Sequence, residues 1–99
     1  MHNKKDTIHN AVENAFRGYG YRTTDTSTCH GVLLDFIAEQ DNKPCWFIEV
    51  KSGNKKLTEN EKRFIREHPE NSVVIRSVEE ADTFYACQLA GEKFFCNLT

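Results

Sequence analysis

The feature of this sequence that most restricts its fold is a pair of segments rich in aliphatic, β-branched and aromatic residues, separated by a short polar turn. The first covers residues 32–40 and the second covers residues 45–51. Their composition and length are typical of β-strands. Residues 41–44 between them, Asp-Asn-Lys-Pro, favour a tight reversal of the chain. We therefore predict a β-hairpin over residues 32–51.

A helix and another strand follow the hairpin. Thr58 with Glu61 three residues later has the pattern of a capping box, so we expect a helix that begins there and ends before Pro69. Residues 72–76, Ser-Val-Val-Ile-Arg, have the composition of a buried strand. Two strands joined through a helix normally form a right-handed unit with parallel strands. The prediction is an α/β fold with a mixed central sheet.

The N-terminal part of the chain adds a helix and a short strand. Apolar residues recur at helical spacing over residues 6–17, and Gly18 and Gly20 follow, which predicts an amphipathic helix that ends there. A short strand is expected near residues 21–23, and a loop is expected to follow it.

The C-terminal part is predicted to begin with another helix. Ser77 and Glu80 form a second capping-box pattern, and the helix should reach about Leu89. Residues 91–99 fit either an edge strand or a subunit contact.

Length and composition favour one compact domain over residues 1–99, since the chain is too short to divide into two cores. No apolar run approaches the ~20 residues that span a bilayer, and the N-terminus lacks the apolar stretch of a signal peptide. We expect a cytoplasmic protein that is not secreted and has no membrane partner. The four cysteines lack the spacing of a zinc site and are expected to be thiols, with a disulfide left open by the sequence.

Charge is distributed unevenly along the chain. The net charge of −2 argues against binding nucleic acid through bulk positive potential. Residues 51–66 nevertheless contain six basic and two acidic side chains, whereas the residues after Arg66 contain two basic and six acidic ones. The middle of the chain is therefore the predicted phosphate-facing surface.

The hairpin is predicted to bring two carboxylates together. Side chains alternate across a strand, so Glu49 and Lys51 share one face of the second strand. A turn centred on Asn42 places Asp35 opposite Glu49, with their Cβ atoms about 5 Å apart. Two carboxylates at this distance repel each other unless one of them takes up a proton or a cation lies between them. Oxygen ligands of this kind suit Mg²⁺ or Mn²⁺, and a neighbouring ammonium can stabilise charge on a reacting phosphate.

Four segments between residues 31 and 81 resemble a known family. They read GVLLDFI, FIEVKSG, KLTENEKRF and VVIRSVEEA. In this order and spacing they resemble the virus-type replication-repair nuclease (VRR-NUC) domains of the restriction-endonuclease-like PD-(D/E)XK superfamily. The residue before the catalytic Asp is commonly Pro in that family and is Leu34 here. The resemblance implies a small restriction-endonuclease-like fold and metal-dependent hydrolysis of DNA phosphodiester bonds.

The resemblance also implies roles for particular residues. The implied catalytic residues are Asp35, Glu49, Lys51 and Glu61, the last standing where the family often has Gln. The implied metal ligands are Asp35, Glu49, the Val50 carbonyl and Glu13. DNA-backbone contacts are expected from Lys55, Lys56, Lys62 and Arg63. Stand-alone members of this size resemble phage proteins that act as homodimers on branched DNA, so we expect flaps, forks or four-way junctions as substrates, with DNA repair as the setting.

Simpler interpretations exist for several of these residues. Glu49 and Lys51 also fit a cross-strand ion pair on a solvated face, and the capping box alone accounts for Glu61. Glu13 also fits a solvated helix surface. A non-cleaving module that binds nucleic acid or protein on the same fold is the alternative function, and a subunit whose partner completes the DNA surface is a third.

Overall fold

A computed structural model of the chain describes residues 8–26 and 34–98, which form a four-stranded mixed sheet and three helices. The strands are β1 (Arg22–Asp25), β2 (Phe36–Glu39), β3 (Trp46–Val50) and β4 (Ser72–Ile75). The helices are α1 (His9–Gly18), α2 (Glu59–Glu67) and α3 (Val78–Ala90). The class predicted from the sequence, α/β with a mixed sheet, is confirmed.

The strands lie side by side in the order β1-β2-β3-β4. The β2–β3 hairpin is antiparallel and pairs Phe36 with Ile48, as predicted. Its turn includes Asn42 at a φ of 63°, a left-handed conformation that Asn tolerates better than most residues. The strands on either side of α2, β3 and β4, are parallel, which confirms that part of the strand–helix–strand prediction.

Each face of the sheet is covered by helices. One face carries the larger core, in which Phe16 of α1 and Phe84 of α3 pack against Phe36 and Ile48. Trp46, Ile48 and Val50 point to this side, as the alternation of β3 predicts. The other face carries a smaller core where Phe64 and Ile65 of α2 meet Leu34, Leu57 and Val74. The candidate site lies on this second face because Glu49 and Lys51 alternate with the residues of the larger core.

The observed helix ends agree in most details with those predicted from the sequence. Both hydrogen bonds of the Thr58–Glu61 capping box are present. The second capping box forms only in part: the Ser77 hydroxyl accepts from the Glu80 N–H, but the Glu80 carboxylate accepts from the Arg76 N–H, one residue earlier than the motif requires. Helix α1 begins at His9, later than the predicted residue 6, and residues 6 and 7 lie outside the described part.

The C-terminal segment is not a strand. Residues 91–98 are neither helix nor strand, so the edge-strand alternative is wrong for them. Phe94 and Cys96 pack against the larger core, while Phe95 is exposed. A segment whose apolar side chains alternate between core and solvent can stay extended without joining the sheet. Cys45, Cys87 and Cys96 are free thiols. No helix in the described residues is both long and apolar enough to cross a bilayer.

Candidate acidic site on the hairpin

The two central carboxylates come from neighbouring strands. Asp35 lies just before β2, where the register of Phe36 with Ile48 places it opposite Glu49. Its backbone N–H donates to the Ile48 carbonyl at 2.9 Å, and its side-chain Oδ2 accepts from the Val50 N–H at 2.8 Å. This hydrogen bond holds the Asp35 side chain at the end of β3. Burial raises the pKa of Asp35, and the Val50 N–H and the nearby His9 partly oppose that rise.

Glu49 is the most strongly perturbed group of the site. Only 3% of the residue is exposed, and its Oε1 atom is buried without a hydrogen-bond partner among the described residues. Burial, followed by the negative charges of Asp35 and Glu61, raises the pKa of Glu49 to about 9. A carboxyl group in this position holds a proton at neutral pH unless a cation replaces it.

Lys51 connects Glu49 to Glu61. Its Nζ lies 3.4 Å from Glu49 Oε2 and 3.2 Å from Glu61 Oε1. Burial acts to lower the pKa of Lys51, but the carboxylates of Glu49 and Glu61 outweigh it and raise that pKa. The ammonium is therefore charged and held on the same face as the two carboxylates.

Glu61 has two roles at once. Its Oε1 accepts from the Thr58 N–H at 2.9 Å and also meets the Lys51 ammonium. The sequence offered a helix cap and a catalytic role as competing interpretations. The structure confirms the cap and adds the ion pair with Lys51, and the catalytic role stays a prediction. The cap holds the carboxylate at the start of α2, where it faces β3 across the smaller core.

Glu13 and the Val50 carbonyl are less closely tied to the pair. The described partners of Glu13 are His9, Arg17 and Thr23, and none of its contacts involves Asp35 or Glu49. Its predicted role as a ligand beside those carboxylates stays a prediction. Val50 is at the end of β3, paired with Ile75, and its N–H is used by Asp35.

The predicted DNA-contacting residues lie in the loop after β3 and on α2. Lys55, Lys56 and Arg63 are exposed, and Lys62 is half-buried. Lys62 Nζ lies 3.5 Å from Glu59, and Arg63 donates to Asn60. These two contacts are within one turn of α2 and leave the basic side chains at the surface.

Three residues that the structure singles out were not predicted from the sequence. Arg76 is 8% exposed and donates to the carbonyls of Gly53, Lys55 and Asn97, so it fixes the loop after β3. The other two, His9 and Asp25, form with Glu13 a group whose ligand atoms all lie within 4.8 Å of one another. Among the described residues, Asp35, Glu49 and Glu61 do not form such a group. The spacing of His9 and Glu13, four residues apart on a predicted helix, was the available signal.

Comparison with known proteins adds no family assignment. No protein-family model matches this chain, and neither a curated protein nor a solved structure shows significant similarity to it.

Proposed function

We propose that this protein is a metal-dependent nuclease that hydrolyses DNA phosphodiester bonds on a restriction-endonuclease-like fold of the VRR-NUC type. One observation carries the proposal: Asp35 and Glu49 meet on adjacent strands with Lys51 beside them, and Glu49 keeps a buried oxygen without a partner. An arrangement selected only for stability would not bury a carboxylate in this way.

The residues present fit a divalent cation. The unpartnered Oε1 of Glu49 and the carboxylate of Asp35 offer oxygen ligands, and the carbonyl of Val50, the residue after Glu49, is the further ligand that the resemblance implies. Hard oxygen ligands favour Mg²⁺ or Mn²⁺. When bound, such an ion lowers the pKa of a coordinated water and polarises a phosphoryl oxygen. The resemblance also implies Glu13 as a ligand, but its described contacts are with His9, Arg17 and Thr23, so it is left out of this ligand set.

The side chains of the protein have separate tasks in this proposal. Asp35 and Glu49 provide the negative charge that binds the ion, and the Val50 N–H holds Asp35 in place. Lys51 carries a positive charge on the same face and stabilises negative charge that develops on the phosphate during attack by water. Glu61 orients the Lys51 ammonium from the start of α2, at 3.2 Å.

The surface around the site supports DNA as substrate. Lys55, Lys56 and Arg63 are exposed in the stretch of chain that follows Glu49 and Lys51, and they are proposed to contact backbone phosphates together with Lys62. A domain of this size has little surface for reading bases, so we propose recognition of branched or flapped DNA, by a homodimer. Both of these points rest on the family resemblance.

A cleavage assay tests the proposal. Labelled single-stranded, duplex, flap and four-way-junction DNA would be incubated with the protein in Mg²⁺, Mn²⁺ or EDTA. Lys51→Ala is the test variant, and Lys43→Ala, an exposed lysine in the hairpin turn, is the matched control. We expect metal-dependent cleavage that Lys43→Ala retains and Lys51→Ala lowers by about 100-fold or more, the usual effect of losing one electrostatic stabiliser.

Two results would decide against the proposal. One is cleavage that persists in EDTA or in folded Lys51→Ala protein. The other is the absence of cleavage on all substrates while both variants bind DNA with equal affinity, which would favour the non-cleaving module.

A further inference from the structure

A second group of potential metal ligands lies where helix α1 meets the edge strand β1. His9 and Glu13 are one turn apart on α1, so their side chains project from the same side of the helix. Asp25 is the last residue of β1. One ligand atom from each of the three lies within 4.8 Å of the other two, so small side-chain rotations would bring all three to the ~2 Å distances of a common ion.

His9 is a buried imidazole whose polar atoms are not satisfied by the described residues. The residue is 1% exposed, and neither Nδ1 nor Nε2 has a hydrogen-bond partner among them. Nε2 lies 3.2 Å from Glu13 Oε1 but not in hydrogen-bond geometry. The ring packs against Phe36, with 5.7 Å between ring centroids, which holds it toward Glu13. An unpaired buried polar atom destabilises the fold, and a metal bound to the nitrogen lone pair would remove part of that cost.

The two oxygens of Glu13 are used differently. Oε2 accepts from Arg17 and from the Thr23 hydroxyl, each at 2.9 Å. These donors fix the orientation of the carboxylate. Oε1 remains on the side of His9 and is the oxygen that can act as a ligand.

We propose that His9, Glu13 and Asp25 bind a divalent transition-metal ion such as Zn²⁺, as a ligand set that includes neither Asp35 nor Glu49. One imidazole nitrogen and two carboxylates form a mixed ligand set that suits Zn²⁺ better than Mg²⁺. Three protein ligands leave a coordination position for water. Because the ligands come from α1 and β1, the bound ion stabilises the packing of that helix on the edge of the sheet.

The nitrogen ligand provides the test, since Asp35, Glu49 and the Val50 carbonyl offer only oxygen. All measurements use the Asp35→Asn/Glu49→Gln double variant as background, so they do not depend on whether the protein is a nuclease. Calorimetry with Zn²⁺ gives stoichiometry and affinity. Pulsed electron paramagnetic resonance with Mn²⁺ detects ¹⁴N coupling from a bound imidazole.

We expect one Zn²⁺ per chain and a ¹⁴N signal in this background. His9→Gln should abolish the ¹⁴N signal. Asp25→Asn, a change at an exposed residue, should weaken Zn²⁺ binding about 10-fold or more. Loss of a partner that only contacts a metal ligand already has an effect of that size. His68→Gln and a His2→Gln/His30→Gln double change are the matched controls, and both should bind as the background does. If His9→Gln does not fold, the Zn²⁺ affinity of Asp25→Asn tests the proposal instead. Absence of Zn²⁺ binding, unchanged affinity in Asp25→Asn, or a ¹⁴N signal lost in the controls would overturn the proposal.

Discussion

Glu49 is a buried carboxyl group whose pKa is strongly raised. It is buried on the sheet face, opposite Asp35 and 3.4 Å from the Lys51 ammonium, and its pKa is raised from the usual 4.5 to about 9. A carboxyl group with a raised pKa binds a proton more tightly in the folded state than in the unfolded state. The stability linked to it is therefore fully present below pH 4.5 and is lost as the pH rises toward 9.

The first prediction concerns this pH dependence. In EDTA, the free energy of unfolding should fall between pH 5 and about 9, by up to ~1.4 kcal/mol per pH unit. Glu49→Gln keeps a neutral side chain of the same shape and should flatten that decline. Urea denaturation across the pH range measures the effect, with the exposed Glu39→Gln as control. Equal pH slopes in the parent and Glu49→Gln would contradict the raised pKa.

At the scale of elements, the start of α2 joins a helix cap to the candidate site. The Thr58 hydroxyl accepts from the Glu61 N–H at 3.1 Å, and the Glu61 carboxylate accepts from the Thr58 N–H while also meeting Lys51. The sequence pattern predicted this cap correctly. The contact with Lys51 requires α2 to cross back over β3, which no local pattern specifies.

The second prediction is that Thr58→Ala lowers the free energy of unfolding by about 1 kcal/mol, because the helix loses its N-cap acceptor. Thr58→Ser keeps the hydroxyl acceptor and should therefore retain most of the stability that Thr58→Ala loses. Thr83→Ala in the middle of α3 removes an exposed side chain whose hydroxyl donates only to the Glu79 carbonyl one turn earlier, and Ala has the higher helix propensity, so this change should be close to neutral. Denaturation curves of the three variants make the comparison, and equal losses in Thr58→Ala and Thr83→Ala would argue against the cap.

Arg76 links three separate segments of the chain. Its guanidinium leaves the end of β4 and donates to carbonyls at 53, 55 and 97, and its backbone N–H donates to Glu80 at the start of α3. Our third prediction is that Arg76→Met lowers the free energy of unfolding by at least ~1 to 3 kcal/mol, since three backbone carbonyls lose a charge-assisted donor.

Hydrogen exchange provides a local readout for that variant. Amides in residues 53–57 should exchange faster in Arg76→Met, whereas the exposed Arg66→Met should leave them unchanged. Unaltered protection in Arg76→Met would mean that the loop is held by other contacts.

At the scale of the whole molecule, the charge distribution affects how the proposed DNA substrate would bind. The chain has a net charge of −2, yet six basic residues lie within residues 51–66, which follow Glu49 and include α2. Binding through a local cluster should depend on salt concentration in proportion to the few phosphates that it contacts.

The fourth prediction follows from that cluster. The logarithm of the DNA association constant should fall linearly with the logarithm of salt concentration, and a Lys55→Ala/Lys56→Ala double variant should reduce the slope by about 2. Fluorescence anisotropy in EDTA measures binding without cleavage. Lys43→Ala/Lys93→Ala, with two exposed lysines outside residues 51–66, is the control. Equal slopes in the two double variants would show that DNA does not contact Lys55 and Lys56.

The sequence by itself determined the elements and the hairpin register. Turn chemistry at 41–44, the Thr58 cap and the period-two alternation of β3 are local properties, and they placed Asp35 opposite Glu49 with Trp46 and Ile48 on the other face. Only the tertiary structure decided which distant groups meet. Asp25 reaches His9 and Glu13 because β1 pairs with β2 beneath α1, and Glu61 reaches Lys51 because α2 packs on the opposite face. Burial also depends on these long-range contacts, and burial is the main cause of the raised pKa of Glu49.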